Sequence, residues 1–490
     1  MQRRWRTKRK AMGAAWSGAA LSSALLLISG CGDQPPAPAG PVALADRHPP
    51  QVVLVTLDTL SADRLGCYGG RDVATPHLDS IAADGVRFAR AAVPMPQTAP
   101  SHASLLTGRS PFSHGLTDNW HSLAPEVDTL AELLLRRGVE TGCFYNVFQF
   151  NDANLVQGFR TQVRDVSDLA NDLLPKFFGW LDALPPAKPS FAWIHLFIAH
   201  TPFVPPDAHR ARYVTADYDG PLDFSVRTRL ELLRSGGFPP HYADEFLQLY
   251  DAEVAFLDER VGALLDGLRA RDRLDRTLLL FMADHGESRA LPTLGMHAFV
   301  ASQETLRVPL LVRGPGVARG AVVESLVENV DLLPTVLESF GHDPVALLGE
   351  LLDGRSLWPL LAADASEASD DAAGGAAGTL DADERVAFGA LPCTPPPPGE
   401  LPDVERLCAW QGRFKLVVQQ RDGGEQEQLF DVDADPHEQH DVAAAHPNVV
   451  RALRRRLDDW LARTAARRAP AGPLSRAGQQ MLQQLGYGDR

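Results

Sequence analysis

The sequence predicts an α/β protein: one large mixed sheet flanked by helices, with a smaller α+β part towards the C-terminus. Three observations lead there. Apolar runs of strand length, "QVVLVTL" (51–57), "FAWIHLF" (191–197), "TLLLFMADHG" (277–286) and "VPLLVRG" (308–314), alternate with segments of helical pattern. The first of these runs is continuously apolar, as expected of a strand buried on both faces. The 490 residues, 45% hydrophobic and 22% charged, are enough for a large core and a second, smaller one.

The chain begins with an address. Basic residues up to Lys10, an apolar small-residue run from Ala11 to Ile28 and then "ISGC" make residues 1–30 an export signal. It resembles a bacterial lipoprotein signal, in which Cys31 would become the lipidated first residue. An uncleaved anchor, or a plain signal that happens to contain Cys31, is the alternative. The leading readings place the protein in the cell envelope, outside the cytoplasm. Residues 31–50, rich in Pro and Ala, read as an extended tether.

From 51 to 361 runs the main domain. Helices are expected at "HLDSIAADG" (77–85), at "TLAELLLRRG" (129–138), and over the long amphipathic stretch 242–271. Residues 362–384 are acidic and of low complexity, hence a linker or surface loop. In the C-terminal part, 385–468, "RFKLVVQQ" and "EQLFDVD" read as strands and 446–468 as a closing amphipathic helix. Residues 469–490 read as a tail. Cys67 and Cys143 read as buried thiols. Cys393 and Cys408 lie 15 apart, and an oxidising compartment permits a disulfide between them.

Charge excludes one class of partner. The formal charge is −15, and loss of the six basic residues of the first 30 would lower it to −21. Nucleic acid is therefore not expected as a partner.

Polar residues gather where strands end. Asp58 follows the first buried run, and Asp284 and His285 follow another. Open α/β sheets bind ligands at the carboxyl ends of their strands, and two carboxylates with an imidazole suit a divalent metal. Each of the three could alternatively be a capping or turn residue. "PMPQTAPSHASLLTGRSPFSHG" (94–115) places Thr98 just before a helix-like run from Ser101 to Thr107 that stops at Gly108. Thr98 is either a nucleophile beside a helix N-terminus that attracts anions, or only a helix-entry residue.

These segments resemble, in order, the motifs of the sulfatase family of the alkaline phosphatase superfamily. "VVLVTLDTLSADRLGCYGG" resembles its opening metal motif. "TAPSHASLLTGRSPFSHG" stands where the family carries C/S-x-P-S-R followed by LLTG. "WIHLFIAHTPFVPP", "FMADHGES", "LRVPLLVRGPG", "DLLPTVLE", "LDGRSLWPLL" and "EQLFDVDADPHEQHDVA" follow as they do in the family, over about residues 50–465. The resemblance implies that Asp58, Asp284, His285 and Thr98 hold one divalent metal ion, zinc, manganese or calcium. It puts Thr98 in the nucleophile's slot. His200 and His297 would contact the anion or protonate the leaving oxygen, and His102 and Arg109 would face the substrate.

The departures are specific. The family converts its signature Cys or Ser to formylglycine, a conversion closed to Thr98. His102 replaces the signature Arg, Thr59 replaces the expected second Asp, and the family's G-K-W-H stretch is absent. A phospho-threonine can be hydrolysed by attack at phosphorus, whereas a sulfo-threonine lacks the easy release of a formylglycine hydrate. The expectation is a metal-dependent hydrolase of a small anionic sulfate or phosphate ester, glycan- or lipid-linked, held at the membrane through lipidated Cys31. A phosphoethanolamine-type transferase and an inactive binding protein of the same fold are the alternatives.

Overall fold

Seven-residue apolar stretches form the middle of the sheet, because only long β-branched and aliphatic runs can be buried on both faces. The computed structural model describes residues 51–147, 149–165, 173–215, 239–289, 294–295, 297–362, 385–392, 404–421, 424–470, 472–476 and 479. The expected signal and tether with Cys31, the acidic stretch from 363 to 384, and Cys393 lie outside these residues.

The large sheet has the order β4-β3-β5-β1-β6-β7-β2-β8, with a ninth strand, β9, paired to β2. Its strands are β1 (Gln51–Leu57), β2 (Val86–Ala92), β3 (Glu140–Tyr145), β4 (Thr161–Arg164), β5 (Ser190–Leu196), β6 (Thr277–Ala283), β7 (Arg307–Arg313), β8 (Ala321–Val323) and β9 (Val327–Glu328). β1 runs parallel to both β5 and β6, while β7 is antiparallel to β6 and β2, so the sheet is mixed as expected. Register matters here: Leu57 pairs with Leu196 on one side and with Ala283 on the other. Three neighbouring strands thus end level, and the residues after them emerge side by side.

The expected helices form, with small changes of boundary. Pro76–Ala83 carries proline in its first turn, and Leu130–Leu135 is opened by a capping box between Thr129 and Glu132. The long helix Tyr242–Arg269 packs on Pro76–Ala83 and Asp207–Tyr213. Its Asp258 carboxylate accepts the backbone N–H groups of His77 (3.2 Å) and Leu78 (2.8 Å), two donors that a helix start leaves without intrahelical partners.

A second, antiparallel sheet follows: β10 (Ala387–Pro392), β11 (Val404–Gln411), β12 (Phe414–Arg421) and β13 (Gly424–Asp431). The closing helix, Pro447–Ala466, buries Val449, Leu453, Leu457 and Trp460 against it, a 3.6-residue periodicity in sequence turned into one packed face. The described residues form one compact unit. Arg385 pairs with Glu328 and Asp331, and Ala390 N–H donates to Pro94 O at 2.9 Å, tying the second sheet to the first.

Cys408 is a free, buried thiol facing Gly389 across β10 and β11, and its expected partner Cys393 lies outside the described residues. The described part of the expected tail is pinned: Ala469 N–H donates to Ser113 O at 2.8 Å, Ser122 N–H to Pro473 O at 3.0 Å, and Ser475 N–H to Trp120 O at 2.7 Å.

Candidate active site

The level ends of β1, β5 and β6 build the site. Asp58 is the first residue past β1, fully buried, and its N–H donates to Leu196 O at 3.0 Å. The next residue, Thr59, adopts φ +55°, a left-handed conformation costing a β-branched residue about 1–3 kcal/mol. Neighbours hold it there. Thr59 Oγ1 lies 2.6 Å from Ala199 O, its N–H donates to Asp284 Oδ1 at 3.3 Å, and Tyr250 donates to its carbonyl at 2.7 Å. The position where a second Asp was expected therefore braces the turn rather than adding a ligand.

Asp284 and His285 emerge from β6 beside Asp58. Asp284 Oδ1 accepts the N–H groups of Thr59 and His285 (2.9 Å), which leaves Oδ2 buried without a partner. Asp58 repeats the arrangement. Oδ2 faces His195 Nε2 at 3.1 Å, and Oδ1 is buried without a partner. The His285 ring turns Nδ1 towards Gly286 O at 3.1 Å, so Nδ1 carries the hydrogen and Nε2 is bare. That bare nitrogen lies 3.4 Å from Asp284 Oδ2 and 4.0 Å from Asp58 Oδ1.

Three potential ligand atoms thus converge, all within 4.8 Å of one another. Two buried carboxylates without a counter-charge are strongly unfavourable. Asp58 is pushed up to about 8, chiefly by burial, with His297 pulling it down and Glu287 raising it. A divalent cation meets all three needs, and the oxygen–oxygen–nitrogen set suits one.

Thr98 stands at the edge of this pocket, buried, its Oγ1 3.4 Å from His285 Nε2. Its helix is Thr98–Thr107, three residues earlier than expected, so Thr98 is the first helical residue. The expected cradle of free N–H groups is correspondingly reduced. Ala99 N–H donates to Asn119 Oδ1 (2.8 Å), Pro100 has none, and Ser101 N–H is used by Gln97 O (3.1 Å). The helix stops at Gly108 as expected, in the left-handed conformation (φ +65°) that glycine adopts freely.

His297 stacks on His285 (centroids 4.5 Å apart, 26° between planes) and meets His200 edge-on at 5.2 Å. Its Nδ1 faces both oxygens of buried Glu287, at 3.1 and 2.9 Å, which orients the ring with Nε2 outward. His200 donates from Nδ1 to Thr201 O and stacks on Phe197 at 4.3 Å. Burial, with His297 next, holds it well below the ordinary histidine range, so its Nε2 is bare.

Two residues expected to face substrate do not. His102 lies behind Thr98: Nδ1 donates to Thr98 O at 2.8 Å, and the ring is enclosed by Phe150, Trp193 and His195. Desolvation takes it down to about 3, so it is a neutral part of the site's floor. Arg109 is buried, its guanidinium donating to Ser113 O (2.7 Å) and Arg467 O (2.9 Å). It is a brace between the turn after the Thr98–Thr107 helix and the C-terminal segment.

Sequence reasoning missed His195, Glu287, Tyr250 and Asn119. One signal was available: an imidazole inside an apolar strand run needs a buried hydrogen-bond partner. Tyr250 and Asn119 give no such signal, because only the fold brings them to the site.

Its matches to known proteins make this mixed α/β sheet, with the cluster at its strand ends, an ester hydrolase of the alkaline phosphatase superfamily. The sulfatase family's sequence pattern matches residues 50–342, and the chain belongs to that family. It is 28% identical to arylsulfatase A of Homo sapiens over 360 residues, 65% of this chain and 69% of that protein. With arylsulfatase K of Mus musculus it shares 25% identity over 468 residues, 83% of this chain and 78% of that one. Among solved structures, one in complex with its substrate D-glucosamine-2-N,6-O-disulfate has a TM-score of 0.66 at 19% identity, covering 85% of this chain and 98% of that one. The phosphonate monoester hydrolase of Agrobacterium radiobacter has a TM-score of 0.63 at 21% identity, covering 85% and 96%. These two share the fold.

Proposed function

We propose that this chain hydrolyses a small anionic sulfate or phosphate ester, glycan- or lipid-linked, with unmodified Thr98 as nucleophile. The observation that carries the reading is the placement of the Thr98 hydroxyl beside three converging acceptors, two of them unpartnered buried carboxylate oxygens. Asp58, Asp284 and His285 would hold zinc, manganese or calcium, which supplies the positive charge that lowers the hydroxyl's pKa and offsets that of the ester oxygens.

The remaining work falls to side chains. Thr98 Oγ attacks phosphorus or sulfur; the new ester bond forms as the bond to the leaving oxygen breaks. His200, bare at Nε2, takes the proton that Thr98 loses, and His297, oriented by Glu287, gives one to the leaving oxygen. Water then attacks the same centre, passing its proton to His297, while His200 returns a proton to Thr98 as the inorganic anion departs. Attack at phosphorus is the easier release, which favours a phosphate mono- or diester over a sulfate ester.

The test is turnover on a panel of aryl sulfates, phosphates, phosphodiesters and phosphonate monoesters, before and after chelation. Hydrolysis of at least one class, lost on chelation and restored by zinc or manganese, is expected. Transfer to an added alcohol with no hydrolysis would instead establish the transferase. Metal retention with no turnover on any member would leave an anion-binding protein.

The N-terminal pattern supports a lipid-tethered protein of the cell envelope, with Cys31 as its first mature residue. No helix of the described residues is long and apolar enough to cross a membrane. Mass spectrometry of the purified N-terminus should find a modified Cys31; an intact Met1 would refute the tether.

A further inference from the structure

We propose that His195 is a positioning residue that aims Asp58 at the cation, and that a hydrogen-bond relay from Trp193 through Thr56 sets its tautomer. This rests on reading Asp58, Asp284 and His285 as the cation site.

The relay follows from register and from which atoms can donate. Parallel pairing of β1 with β5 sets Thr56 opposite His195 and Leu54 opposite Trp193, and residues two apart on a strand share a face. Indole nitrogen can only donate, so Trp193 Nε1–H donates to Thr56 Oγ1 at 2.9 Å. His195 Nδ1 lies 2.8 Å from the same oxygen and is the one acceptor the buried Thr56 hydroxyl has among the described contacts, so Thr56 donates to it. With Nδ1 accepting, the ring hydrogen sits on Nε2, 3.1 Å from Asp58 Oδ2, and an ionised carboxylate there can only accept. Each donor in the chain thereby has one acceptor, and the direction is set by the Thr56 hydroxyl, which receives the indole N–H and has only His195 Nδ1 to donate to among the described contacts.

The consequence is at Asp58. Oδ2 is occupied by the imidazole, so the carboxylate presents Oδ1, its unpartnered oxygen, to Asp284 and His285. The ring cannot turn away: His102 meets it edge-on at 5.0 Å (80°) and Phe150 at 4.7 Å (67°). Burial lowers His195 to about 4, in keeping with a neutral ring that carries a single hydrogen. An outer partner that orients a ligand in this way typically changes metal affinity by about 10–100-fold when removed.

The experiment compares zinc and manganese affinity, by titration calorimetry, in the parent, His195→Ala, His195→Gln and Thr56→Val, alongside long-range proton–nitrogen NMR of the His195 ring. His195→Ala should weaken binding by about 10–100-fold. His195→Gln, whose amide N–H can reach Asp58, should recover most of it. Thr56→Val should keep the ring yet show a mixed tautomer and intermediate affinity. A parent ring protonated at Nδ1, or parent-like affinity in His195→Ala, would overturn the proposal. If His195→Ala does not fold, an unchanged tautomer in Thr56→Val overturns it alone. A parent that binds neither metal defeats the cation-site reading itself, and the NMR of the parent still decides the relay.

Discussion

Thr98→Ala is expected to lose turnover by on the order of 10⁴-fold or more, while Thr98→Ser keeps measurable activity. Alanine removes the attacking oxygen, and the neighbouring hydroxyls of Thr59 and Ser101 are spent on backbone carbonyls, those of Ala199 and Asp284. Serine keeps that oxygen at the same point of the helix start. The alanine variant should fold, since Thr98 is the first helical residue and alanine is the best helix former. Its circular dichroism should therefore match the parent's, and kcat on the best substrate of the panel supplies the comparison. Intact mass must show that the introduced serine stays unmodified, so that its activity reports a hydroxyl and not an aldehyde. Parent-like turnover in Thr98→Ala would leave Thr98 as a helix-entry residue only.

Asp284→Asn should abolish metal retention without unfolding the sheet. Oδ1 of Asp284 also holds the N–H groups of Thr59 and His285, so asparagine, which keeps an oxygen there, isolates the loss of charge better than alanine. Element analysis should find the parent loaded with one divalent ion per chain, and the variant nearly empty. A melting comparison gives an independent readout. A ligand present at 100 times its Kd stabilises the folded state by about 2.7 kcal/mol. The parent should accordingly melt higher with metal than after chelation, and that difference should vanish in Asp284→Asn. Unchanged metal content in the variant would remove Asp284 from the ligand set.

Much of this site was legible along the chain. Asp58, Asp284 and His285 could be picked out because each follows a buried run, and strand ends are where a sheet of this kind opens to ligands. Thr98 was legible because the residues after it are helix-forming up to a glycine stop. His102 and Arg109 went the other way. Both carry polar groups in or next to the helix that Thr98 opens, and sequence adjacency suggested a role towards substrate. Burial decided otherwise: His102 is packed among three rings, and Arg109 is spent on two backbone carbonyls.

Sequence by itself determined the long apolar strands β1, β5, β6 and β7, the amphipathic helices at 242–269 and 447–466, and which polar residues stand at strand ends. These depend on periodicity and local backbone preference, both of which act over a few residues. Tertiary structure alone decided the register that ends β1, β5 and β6 level, and with it the distance between Asp58 and the Asp284–His285 pair 226 residues away. It also decided which carboxylate oxygen each aspartate leaves bare, because that depends on partners, His195 for Asp58 and Thr59 for Asp284, that only strand pairing brings within 3.3 Å. A hydrogen bond is short-ranged and directional, so the chemistry of the pocket follows from contacts between segments remote in sequence.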